Sequence, residues 1–195
     1  MQVLDEKKRL KILSAAAELF SAQPYHKVLL SDVAEMAGVG KGTLYVYFQN
    51  KEDLYLSVRM AGFSDLIGKL RGWIDEEYHS PVENLEAVVR EIVDFAFQNP
   101  HHFQMMRTIS GWQAMNHARW DSMRHELIRL IESVIRKGIS LEIFEDPHPE
   151  LTARIIPGSI RSIVLDGVDT MDAATIRTHI LRFLLSGMRK KGASQ

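Results

Sequence analysis

The stretch Ala37–Lys51, "AGVGKGTLYVYFQNK", decides how this chain reads. It gathers Gly38, Gly40 and Gly42, the bases Lys41 and Lys51, and the phenols Tyr45 and Tyr47. A turn at Gly38 suits positive φ, where a side chain would clash. The residues before it pattern as a short helix over Leu30–Ala37, with Val33, Ala34 and Ala37 inward. The residues after it predict another over Lys41–Tyr47. Helix, tight turn and helix make a helix-turn-helix candidate. Val39 and Leu44 would plug its small core with Phe48 behind them, leaving Gly40, Lys41, Gly42, Thr43, Tyr45, Val46 and Tyr47 near the outer surface.

A helix that enters the major groove reads bases with its N-terminal residues. Glycine there lets backbone come close. Lys41 can reach a guanine edge or a phosphate, and Thr43 can serve either contact. The hydroxyls of Tyr45 and Tyr47 can bond phosphate oxygens, and Lys51 would add a charge contact. The candidate DNA-binding residues are therefore Lys41, Gly42, Thr43, Tyr45, Tyr47 and Lys51. By itself a Gly-Lys-Gly run with two tyrosines describes a surface turn. The flanking "DVAEMAGV" and "NKEDL" supply the neighbouring elements a recognition unit needs.

Working outward, the chain has 195 residues, 46% of them hydrophobic, which is ordinary for a globular protein. Cysteine is absent, which excludes disulfides and thiolate chemistry. Net charge is −1, but from Met1 to Lys51 bases exceed acids by two, so a local basic surface is available. The N-terminus lacks the apolar core of a signal peptide, and no run approaches the roughly 20 apolar residues of a membrane span. A cytoplasmic location is expected.

Almost every segment carries the helical period, and strand alternation is missing. The first helix is expected over Asp5–Ala22, with Leu10, Leu13, Ala17 and Phe20 on one stripe. Asn50 is placed to cap a long fourth helix, with Glu52 and Asp53 at the positive end of its dipole. A fifth helix follows over Val82–Gln98, a short sixth from Pro100, and a seventh over Trp112–Lys137. An eighth spans Pro149–Gly167, and Asp172 caps a ninth that ends at Met188. Pro157 lies inside the eighth, which either starts late or bends there. The fold class is all-α. A three-helix head, residues 1–50, carries the helix-turn-helix, and a six-helix body occupies residues 51–195.

The run from Leu13 to Val58 resembles the TetR family of bacterial transcriptional regulators. "ILSAAAELF", "SDVAEMAGVGKGTLYVYF" and "NKEDLYLSV" follow its pattern in order, and "NPHHFQMMRTIS" is similar to the family's sixth helix. The resemblance implies a homodimer with a DNA-binding head and a ligand-binding, dimerising body. It implies a repressor released from a palindromic operator by a small molecule. The family commonly carries threonines just before the second helix, where Val28, Leu29 and Leu30 stand here. Either Ser31 caps a shortened helix or the cap is missing, at a cost of about 1 kcal/mol.

The body's apolar excess suggests a lipophilic or aromatic ligand. Candidate ligand-binding residues are Phe63, Leu66, Phe103, Met106, Trp112, Asn116 and Trp120. Aromatics with a few convergent polar groups are how pockets hold small molecules. Each of these residues also has a plain core reading. Candidate dimerisation residues are Ile160, Ile163, Ile180, Phe183 and Leu184 on the last two helices. His117, Asp121 and His125 recur four apart, but their face also carries Arg124 and Glu132 and reads as solvated. Helical di-iron sites need paired Glu-x-x-His motifs on helices, and Glu76–His79 is the one that falls on an expected helix. No catalytic set, metal site or cofactor is assigned. The alternatives are a DNA-binding organiser without a small-molecule response and a helical-bundle metal enzyme.

Overall fold

Asp5 starts the first helix: its carboxylate accepts from the backbone N–H groups of Lys7 (3.0 Å) and Lys8 (3.4 Å). The structure is a computed structural model that describes residues 5–76, 79–98, 117–165 and 171–188. Among the described residues there are eight α-helices, one short 3-10 turn and no strand. The helices are α1 Glu6–Ala22, α2 Leu30–Met36, α3 Lys41–Tyr47, α4 Lys51–Asp75, α5 Pro81–Gln98, α6 His117–Ser140, α7 Pro149–Leu165 and α8 Ala173–Met188. The sixth helix read from the sequence lies outside the described residues, so α6 to α8 answer to the expected seventh to ninth.

The chain divides into two compact units, Met1–Phe63 and Ser64–Gln195. The sequence reading set the boundary at 50/51. The division falls inside α4, between Phe63 and Ser64.

In the first unit α2 packs against both α1 and α3. Ile12, Ala16, Val28, Val33, Leu44, Phe48 and Leu54 form its interior. Gly38 takes φ +65, and the Gly38 and Val39 amides donate back to Glu35 (3.0 Å) and Ala34 (2.9 Å). These two bonds close a Schellman ending that sets the angle at which α3 leaves α2. Asn50 caps α4 as expected: its side chain accepts from the Asp53 N–H at 2.8 Å, and Asp53 accepts from the Gln49 N–H at 2.9 Å. Phe20, Tyr25 and Tyr55 form an aromatic cluster with centroids 4.8–5.8 Å apart. Burial raises the pKa of Tyr25 and Tyr55, so both stay neutral phenols at pH 7.

In the second unit α5 lies at the centre, packed against α6, α7 and α8. Its Leu85, Val88, Val89, Ile92 and Val93 meet a core that includes Leu127, Ile131 and Ile135 of α6 and Ile156 of α7. Arg177 of α8 pairs with Asp94 of α5 at 3.1 Å, and Arg71 pairs with Glu126. α7 runs unbroken through Pro157. At the end of α6 the chain reverses with Glu142 at φ 58, and the Ile143 and Phe144 amides both donate to the Gly138 carbonyl. That turn lays the Phe144 ring over Gly138.

Candidate nucleic-acid interface

α3 carries only Lys41, Gly42, Thr43, Leu44, Tyr45, Val46 and Tyr47, and a single one of them, Leu44, is buried. The helix is held by that leucine and by Phe48 just beyond its end, and the rest faces outward. Lys41, Gly42, Tyr45 and Val46 are exposed, and Thr43 and Tyr47 are half-buried. There is no acidic residue on α3. Val46, 57% exposed, is the apolar surface residue that the sequence reading placed outside but left off the contact set. An isolated valine on a basic helix face was the available signal.

The two helices of the motif begin without side-chain caps. Leu29 stands at the N-cap of α2 and Gly40 at that of α3, and neither supplies a side-chain bond. Ser31, the alternative cap, bonds the Asp32 carboxylate at 3.1 Å instead. Of the two alternatives for α2 the missing cap holds, and the first amides of both helices have no side-chain cap.

Two of the candidate contact residues are held by neighbours. The Tyr47 hydroxyl accepts from the Asp5 backbone N–H at 3.1 Å, which ties the end of α3 to the start of α1. That bond uses an oxygen lone pair and leaves the phenol proton free to donate. The Lys51 ammonium sits 4.4 Å from the centre of the Tyr25 ring, and burial lowers its pKa. Arg9 lies over Phe48 at 5.9 Å. Arg59 is buried beside Tyr55. Burial brings its pKa down to about 10, and Tyr55 opposes the shift, so it stays charged at pH 7.

In the second unit the expected ligand residues divide. Leu66 and Trp120 are buried there, and Phe63 is buried in the first unit. Phe103, Met106, Trp112 and Asn116 lie outside the described residues. A cleft of about 490 Å³ is lined by Ile139, Glu142, Phe144, Glu145, Asp146 and Pro147, none of them an expected ligand residue. Trp73 is stacked on His79 at 4.4 Å and covered by the Arg90 guanidinium at 4.9 Å. No group of three or more histidine or acidic side chains among the described residues could hold a metal.

The expected dimer residues also divide. Ile160, Ile180 and Leu184 are buried within this one chain. Ile163 is half-buried, and Phe183 is 70% exposed. A helical stripe gives the period of the apolar residues but not which side of it the chain's own core occupies. Leu151 and Ile155 on α7 are exposed as well.

A family model described as "Bacterial regulatory proteins, tetR family" matches residues 12–58, and one described as "Tetracyclin repressor-like, C-terminal domain" matches 78–188. The chain belongs to the TetR family. It is a DNA-binding, ligand-responsive transcriptional regulator. The fatty acid metabolism regulator protein of Bacillus subtilis is 26% identical over 190 residues, 94% of this chain and 97% of that one. Two solved TetR-type folds superpose along almost the whole length. FadR from Bacillus subtilis in complex with stearoyl-CoA gives a TM-score of 0.71 at 24% identity, covering 92% of this chain and 98% of that one. A regulator from Saccharomonospora viridis in complex with choline gives 0.81 at 17% identity, covering 96% and 100%. No helix among the described residues is long and apolar enough to cross a membrane.

Proposed function

We propose that the protein is a homodimeric repressor that holds a palindromic operator and is released by a lipophilic effector of the long-chain acyl type. The observation that carries the DNA half is α3, a helix with one buried residue whose exposed side presents Lys41, Gly42, Tyr45 and Val46 with no acid among them. In this reading Lys41 takes a guanine edge or a phosphate. Gly42 admits backbone to the groove floor. Thr43 and Tyr45 bond the strand, the free proton of Tyr47 goes to a phosphate, and Lys51 adds charge at the start of α4. The dimer is supported by exposed Leu151 and Ile155 on α7 and Phe183 on α8, large apolar side chains that a second copy would cover. Two heads would then read half-sites about 34–36 Å apart.

The effector class is supported by full-length similarity to a fatty acid metabolism regulator and by a neighbour holding stearoyl-CoA. An effector lowers operator affinity only by its preference for the unbound conformation, typically about 1–3 kcal/mol. Selection from a random duplex library tests the reading. The expected product is a two-fold symmetric site, bound by a dimer in sedimentation and released by stearoyl-CoA. A monomer that enriches no site overturns it.

A further inference from the structure

Asn84 is the buried amide of the second unit that the fold does not use. It lies in the first turn of α5 and is 1% exposed. Neither its carboxamide oxygen nor its nitrogen has a hydrogen-bond partner among the described residues. The neighbouring Leu85, Ala87 and Val88 are all buried, so this turn of the helix is enclosed. Asn84 is not spent on the helix start either. Ser80 and Glu83 cap α5 reciprocally, through Glu83 N–H to Ser80 Oγ (3.2 Å) and Ser80 N–H to Glu83 Oε2 (2.7 Å). The Asn84 backbone N–H already donates to the Ser80 carbonyl at 3.0 Å.

Other polar side chains of α5 are engaged: Asp94 with Arg177, and Arg90 with Glu91 and the Trp73 ring. Burying a carboxamide strips water from two donors and an acceptor, and the loss is made good only when something bonds to them. Leucine, of the same branched shape, would occupy this place without that cost.

We propose that Asn84 is the polar anchor of the effector site, pairing with a neutral group that offers one acceptor and one donor, as a secondary amide does. The inference rests on the effector reading above and narrows it. The Asn84 NH₂ would donate to a carbonyl, and its oxygen would accept from an amide N–H. An ionised carboxylate offers acceptors only and would set its charge against the Asn84 oxygen. A bare hydrocarbon offers neither. Sites built to bond a polar group reject analogues that lack it, because the protein partner is then left unpaired. The anchor therefore favours an acyl-CoA, whose pantetheine arm carries amides beside the thioester, over the free fatty acid.

The test titrates stearoyl-CoA and stearate against operator-bound wild type, Asn84→Leu and Asn84→Asp, with melting temperatures measured in parallel. Wild type should be released by stearoyl-CoA at a concentration at least tenfold below that of stearate. Asn84→Leu should bind operator as tightly as wild type and melt no lower without ligand. It should need at least tenfold more stearoyl-CoA and lose the preference over stearate. If the leucine variant does not fold, Asn84→Asp, which keeps the shape but replaces the NH₂ group by a carboxyl oxygen, decides by the same titration. A variant released within twofold of wild type overturns the anchor while the effector reading stands. Wild type that ignores both probes sinks the effector reading and the anchor with it.

Discussion

Gly42 in α3 and Gly138 in α6 both sit inside helices, and neither takes a positive φ. A Cβ built on Gly138 runs into the Phe144 ring, whereas one built on Gly42 meets nothing within 4 Å. The body therefore accounts for its glycine by its own packing: Phe144 folds back over α6 and needs that gap. The head does not account for Gly42 at all. In the proposed reading, the smallness of this exposed residue beside Lys41 serves the DNA that approaches from outside. The packing of the fold requires Gly138 and does not require Gly42.

The largest effect expected from this contrast is on the body. Gly138→Ala forces a buried ring off its seat, and overpacking of that kind costs about 1–3 kcal/mol. The melting temperature should fall by roughly 2–4 °C for each kcal/mol lost, with operator affinity unchanged well below the transition. Wild-type melting in that variant would break the comparison on its body side.

On the head side Lys41→Ala should do the reverse. Lys41 is exposed and touches no core, so the melting temperature should hold while operator affinity drops about tenfold. Anisotropy at two salt concentrations sharpens the assignment. A salt slope reduced by about one marks a phosphate contact, and an unchanged slope marks a base edge. Unchanged affinity removes Lys41 from the interface.

The head was legible in sequence because its information is local. Gly38, Leu44 and Phe48 lie within eleven residues, and the turn they make follows from their types and order. The helix ends read from Asn50 and Asp172 hold for the same reason, since a cap reaches only three residues. The body was legible as helices but not as surfaces. Ile180 and Phe183 lie three apart on α8, yet one is buried and the other is 70% exposed, and only distant α5 decides which. Asn84 was invisible for a like reason: its first-turn position reads as an ordinary polar helix start until its burial is seen. The uncapped start of α2 stayed open because Ser31 had two possible partners, and it took Asp32.

Gly42→Ala gives the comparison its sharpest form, because one methyl should act with opposite signs. Alanine is favoured over glycine inside a helix by about 0.5–1 kcal/mol, and nothing in the chain obstructs it. The variant should melt slightly higher and bind operator several-fold more weakly. Differential scanning fluorimetry and anisotropy on the same sample read both. Tighter melting with full affinity would mean that the groove leaves room at Gly42 and that its smallness serves no contact.

The smallest expected effect lies in how helices begin. Asp172 accepts from the Thr175 N–H at 2.7 Å at the start of α8, and that bond, with one from the Thr175 hydroxyl, holds its carboxyl below the ordinary aspartate range. Folding thus favours the charged form. Its contribution is complete above the unfolded value, about 4, and is lost as the pH falls through the lower folded value. Asp172→Ala should therefore melt below wild type at pH 7, with the gap closing in acid. Neither N-cap of the recognition pair, Leu29 or Gly40, offers a carboxylate or any other side-chain cap. A gap that persists undiminished at pH 3 would mean that Asp172 acts through packing rather than charge, and the contrast between a capped body helix and the uncapped recognition pair would lose its electrostatic basis.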